Sequence, residues 1–204
     1  LLNLVFYKGK IREYKNFFSY LLVFIVSLLM LFSHAYSIIV IISMNFYIFL
    51  LWIIKNNFTK NNSLLFLSTL ISSILFILIY MSNISHTPSW IPEFKTSFFT
   101  NYYFSSFFGS RILGLLHLII LLYLILSQLN KILSKFDIEL FLIIFFFLTY
   151  FIPITYSLLF KPILIDRYIF FVLIPILYLI SSLSLDFENE YKKYVLIFLL
   201  VAPS

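Results

Sequence analysis

Four residues in one short stretch have the types and spacing to bind an anion. In "KPILIDRY", Lys161, Asp166, Arg167 and Tyr168 sit between two apolar runs of a chain that otherwise places few charges there. Charge next to lipid-buried helix is expensive and is retained for a reason. An arginine guanidinium grips a phosphate or carboxylate through two parallel hydrogen bonds, which a lysine cannot do. Arg167 is either an anion ligand at the membrane surface or an interfacial anchor whose head snorkels beside Tyr168. Pro162 fits the end of the preceding helix, because proline cannot continue the ladder.

A second candidate lies in "SHAYS", Ser33 to Ser37. A tight hairpin tip ordinarily uses Gly, Asn or Pro. Here it carries His34 and Tyr36, two side chains that both donate and accept. They either satisfy exposed backbone at the turn or border an external cavity. A third lies in the 82–111 segment, where Pro88 and Pro92 bracket Trp90 and "SFFTNYYFSSFF" follows. That aromatic run reads either as an amphipathic helix in the interface or as a groove for a lipid tail or sugar face. His86 and His117 lie at no metal-ligand spacing from His34, so no metal site is expected. His117, inside a span, is expected to be packed and hydrogen-bonded. Paired carboxylates, a P-loop, a serine elbow and metal clusters are all missing.

The elements that must position these residues follow from composition. The 204 residues are 63% hydrophobic and 11% charged, with mean hydropathy +1.07, against about 25% charged in soluble domains. The absence of cysteine excludes disulfides, thiolate metal sites and cysteine nucleophiles. A net charge of +6 fits loops facing anionic lipid and calls for no nucleic acid. From Phe17 to Ile54 no residue is charged; as one helix this run would be roughly 57 Å long, far beyond a bilayer core of about 30 Å. It must fold back at "SHAYS".

The expected fold is all-α: a polytopic helical membrane protein, one transmembrane domain over 1–204. Spans are expected at about 17–32, 36–54, 63–81, 112–129, 140–160 and 168–185, with a partial seventh at 194–204 and an external loop at 82–111. Of the Lys and Arg residues, ten alternate onto one side and four (Lys95, Arg111, Lys161, Arg167) onto the other. By the positive-inside rule the N-terminal end is then cytoplasmic. Leu1 in place of Met, and an apolar run that stops at Ser204, lead us to expect an internal piece of a longer protein without a signal peptide.

In order and sidedness the motifs "KGKIREYKNF" (8–17), "FSHAYSII" (32–39), "PSWIP" (88–92) and "KPILIDRYIFFVLIP" (161–175) resemble membrane glycosyltransferases of the C-type superfamily. The likeness is to the branch holding bacterial protein mannosyltransferase-like and aminoarabinose transferase-like enzymes. It implies transfer of a sugar from a polyprenyl-phosphate donor to a lipid, glycan or protein acceptor, on the extracytoplasmic face of a bacterial inner membrane. It also implies donor-phosphate binding by Arg167, Tyr168 and Lys161, and a cavity bordered by His34, Tyr36, Trp90 and Asp166. The family's catalytic acid lies in a first external loop, expected upstream of Leu1, so the fragment alone is expected to be inactive. "SHAY" departs from the family pattern by carrying Ala35 where an aromatic commonly follows the His. Two other classes remain: a polysaccharide polymerase, ligase or lipid-linked sugar flippase, and a solute transporter with inverted repeats and broken helices.

Overall fold

The structure is a computed structural model of the chain. It describes residues 1–7, 10–14, 16–56, 59–83, 109–159 and 172–185, together with Tyr191 and Tyr194. Helix dominates: α1 (Leu2–Val5), α2 (Phe17–Ser33), α3 (Ser37–Lys55), α4 (Lys60–Asn83), α5 (Arg111–Ser127), α6 (Leu129–Lys135), α7 (Ile138–Leu159) and α8 (Leu173–Leu185). The exception is a two-residue antiparallel ladder, β1 (Phe6–Tyr7) with β2 (Lys10–Ile11), pairing Phe6 with Ile11 and Tyr7 with Lys10.

Three helices, α3, α4 and α7, are long and apolar enough to cross a membrane, and four segments qualify if α5 and α6 count as one bent span. The expected count of six is therefore reached only in part by the described residues. At 17 residues, α2 rises only about 26 Å, short of a bilayer core. The expected span at 112–129 corresponds to α5, which ends at Ser127, and α6 leaves it at 60° across Gln128. The expected seventh span, residues 168–171 and most of the 82–111 loop lie outside the described residues.

The chain divides into two compact units: Leu1–Ser89 with Lys135–Leu148, and Trp90–Ser134 with Thr149–Ser204. In the first, α2, α3 and α4 pack on one another around Leu31, Ile41 and Phe76. The buried face of α4 combines the polar Asn62, Thr69, Ser72 and Ser73 with Leu65 and Phe76, while Leu67, Ile71, Leu78 and Tyr80 point outward. Polar groups inside and apolar side chains outside match helices whose solvent is lipid. Small side chains let helix backbones approach, and the lipid contributes no hydrophobic drive between them. The buried hydroxyls are satisfied locally: Ser27 donates to the Val23 carbonyl at 2.7 Å, Ser43 to Ile39 at 2.7 Å and Ser73 to Thr69 at 3.0 Å. Thr69 Oγ1 also donates across to α3, to Asn45 Oδ1 at 2.7 Å.

The N-terminal strap threads this bundle. Leu1 packs on the Leu31 cluster. Phe6 meets Tyr47 at 5.6 Å and Phe141 at 5.3 Å between ring centres, and the Tyr47 hydroxyl donates to the Phe136 carbonyl. Asn61, at the start of α4, ties the strap down. Its Oδ1 accepts from the Tyr14 amide at 3.1 Å and the Tyr20 hydroxyl at 2.8 Å, and its Nδ2 donates to the Arg12 carbonyl at 3.2 Å. The Tyr14 hydroxyl donates to the Leu4 carbonyl. Burial pushes its pKa above the ordinary tyrosine value, with Arg12 opposing and Tyr20 reinforcing the shift. It therefore stays a neutral donor at physiological pH.

In the second unit α5 packs on α8. Ser110 caps α5, its side chain accepting from the Leu113 amide at 3.2 Å, after Gly109 at φ +70°, a left-handed conformation that glycine adopts at no steric cost. At the break, Gln128 Nε2 donates to the Leu183 carbonyl of α8 at 2.7 Å.

Candidate functional site

The site builds up from the last turn of α2. At the end of α2 two donors converge on one carbonyl: Met30 O accepts the Ser33 hydroxyl at 2.8 Å and the His34 amide at 3.1 Å. His34 leaves the helix with extended backbone, φ −157° and ψ 121°. The chain then turns within three residues, with the Ser37 amide donating to the His34 carbonyl at 2.9 Å and the Ile39 amide to Tyr36 at 3.0 Å.

The His34 ring holds this turn together. Its Nδ1 accepts from the Tyr36 amide at 3.2 Å, the task an asparagine performs in an Asx-turn. The Tyr36 ring, buried, lies 5.7 Å from the His34 ring.

A hollow of about 230 Å³ opens beside the turn, lined by Leu31, Phe32, Ser33, His34, Ala35, Phe76, Ile79 and Tyr80. Its far wall comes from α4. Phe76 meets Phe32 edge-on at 5.8 Å and stacks on Tyr80 at 5.2 Å with 21° between planes. His34 is exposed at the mouth. The result is an apolar cup with aromatic faces and a few polar groups at its rim, the usual make-up of a small-molecule site. Pockets for drug-sized ligands run about 300–1,000 Å³, so this one admits a single ring-sized group.

Of the expected site residues, the structure brings His34 to the hollow, and leaves Tyr36 buried behind it rather than in the lining. Lys161, Asp166, Arg167, Tyr168 and Trp90 lie outside the described residues. Sequence reasoning missed Phe32, Phe76, Ile79 and Tyr80. The available signal was the aromatic i, i+4 pair Phe76–Tyr80, which marks one stripe of α4. His117 Nδ1 lies 2.7 Å from the Leu113 carbonyl on its own helix, as expected for a packed histidine. Among the described residues no group of His, Asp or Glu is placed to hold a metal.

Comparison with family profiles, with characterised proteins and with solved structures gave no match.

Proposed function

We propose that the chain is part of a membrane glycosyltransferase that takes a sugar from a polyprenyl-phosphate carrier and passes it to a lipid, glycan or protein acceptor outside the cytoplasm. The finer topology belongs to the same reading: six spans and the start of a seventh, N-terminal end cytoplasmic, in a bacterial inner membrane. The observation that carries it is the aromatic hollow at the His34 turn. A ring-sized cup with polar groups at its mouth suits one sugar ring, held on Phe76 and Tyr80 and oriented by His34.

In this reading Arg167 and Lys161 neutralise the carrier phosphate as it departs, Tyr168 hydrogen-bonds to it, and Asp166 orients one of the cations. Trp90 and Tyr36 complete the surroundings. The displacement at the anomeric carbon also needs a carboxylate to take the acceptor proton; the reading assigns that role to no residue of 1–204.

The test is sugar transfer in membranes carrying the complete reading frame. Arg167→Ala should abolish turnover while expression and insertion persist. His34→Ala should raise the donor KM roughly tenfold, the worth of about one hydrogen bond. Turnover at the wild-type rate in Arg167→Ala would sink the proposal.

One observation favours a second reading, a solute transporter: the 60° break between α5 and α6 at Gln128, since transporters build sites at broken helices. Solute uptake that fails in Gln128→Leu but survives Arg167→Ala would select it.

A further inference from the structure

One end of the first unit carries a feature that the proposed transferase does not use. Because α2 and α3 run in opposite directions, and α3 and α4 likewise, the start of α2, the end of α3 and the start of α4 meet there. Asn61 holds the Arg12 backbone against α4 at 3.2 Å, next to exposed Lys60. The first turn of α2 adds Phe17 and Phe18, 75% and 71% exposed, and is tied to the same point through the 2.8 Å bond from Tyr20 to Asn61. The 8–15 segment carries four basic residues, Lys8, Lys10, Arg12 and Lys15, against one acid, Glu13. Lys55 is the neighbour to set apart: its Nζ lies 5.4 Å over the Phe136 ring.

We propose that this end is a binding face for anionic phospholipid, with Arg12 and Lys60 engaging the headgroup phosphodiester while Phe17 and Phe18 enter the acyl boundary. Guanidinium and ammonium groups suit a phosphodiester. Aromatic rings beside them suit the interface, where one end of the contact is apolar and the other wet. A soluble polyanion would match the cations but leave both phenyl rings in water. The Asn61 bonds hold the Arg12 backbone at the start of α4, next to Lys60.

The test uses the full chain in zwitterionic micelles, with phosphatidylglycerol and phosphatidylcholine supplied together and retained lipid counted by native mass spectrometry. Phosphatidylglycerol should be retained by about 25-fold over phosphatidylcholine, since each of the two basic side chains at an anionic surface contributes about a fivefold preference. Arg12→Gln with Lys60→Gln should bring that ratio towards one. Glutamine at 12 keeps the carbonyl that Asn61 bonds, so the strap stays docked and an unchanged thermal unfolding midpoint checks the fold. Phe17→Ser with Phe18→Ser should lower retention of both lipids, and Lys131→Gln, in the other unit, should change neither. Equal retention of the two lipids by the wild type overturns the proposal, as does a ratio untouched by the double glutamine variant. Loss of the preference in millimolar inorganic phosphate, with no dependence on the phenylalanines, would identify a free-phosphate site and overturn it too.

Discussion

Helices α4 and α7 have nearly the same hydropathy, 2.3 and 2.2 over their best windows, yet 28% of one window is buried and 50% of the other. The difference is in what they bury. In α4 four of the six buried residues are polar, Asn62, Thr69, Ser72 and Ser73, beside Leu65 and Phe76, and most of its large apolar side chains face out. In α7 the run from Leu140 to Phe146 is buried throughout, with Phe141 fully so. Hydropathy thus tells which segments suit lipid and says nothing of which face meets it. The buried sets differ in kind: α4 buries mainly polar side chains, three of them small, with Leu65 and Phe76 among them, and α7 buries bulk.

Substitutions can break or sharpen this contrast. The largest effect should come from Phe141→Ala, which removes the ring packed on Phe6 and on Tyr47; about 3 kcal/mol should be lost in reversible unfolding in mixed micelles. On α4 the damage should come from adding bulk. Ser72→Leu should cost about 2 kcal/mol by overpacking, while Ser72→Ala is nearly silent; equal costs would show that the hydroxyl, not the space, matters. Asn45→Ala should cost about 0.6 kcal/mol, the average of interhelical hydrogen bonds in membrane proteins, and a double cycle with Thr69→Ala isolates that share. Leu78→Ala, 63% exposed, should fall within about 0.5 kcal/mol of the wild type. A loss above 2 kcal/mol there would mean that the outward face of α4 meets protein instead of lipid.

The sequence made the first hairpin legible because two signals agreed: a charge-free run too long for one crossing, and a single polar break within it. His34 and Tyr36 stood out for the same reason. The walls of the hollow did not, because Phe76 and Tyr80 reach His34 only through the packing of α2 on α4, and no local pattern encodes which helices pair. The bend at Gln128 was illegible for a related reason. "LSQLNK" holds neither Pro nor Gly, and the glutamine's bond is to Leu183, 55 residues away. Pro153 shows the reverse case, a breaker that sits within α7 without ending it, as helices in lipid tolerate when neighbours resatisfy the freed carbonyl.

Asn61 also sets an order of assembly. Its three bonds reach back 41, 47 and 49 residues, so none can form until α2, α3 and the start of α4 have all been synthesised. Until then the Arg12–Tyr14 stretch lacks its anchor on α4, although Leu1 and Phe6 can already meet α2 and α3, and closing loops of that size carries an entropic cost that late contacts must repay. A nascent chain stopped before residue 60 should therefore be cut by trypsin at Arg12, and one stopped after α4 should be protected. The strap is made before α4 and is fixed at Asn61 only after it.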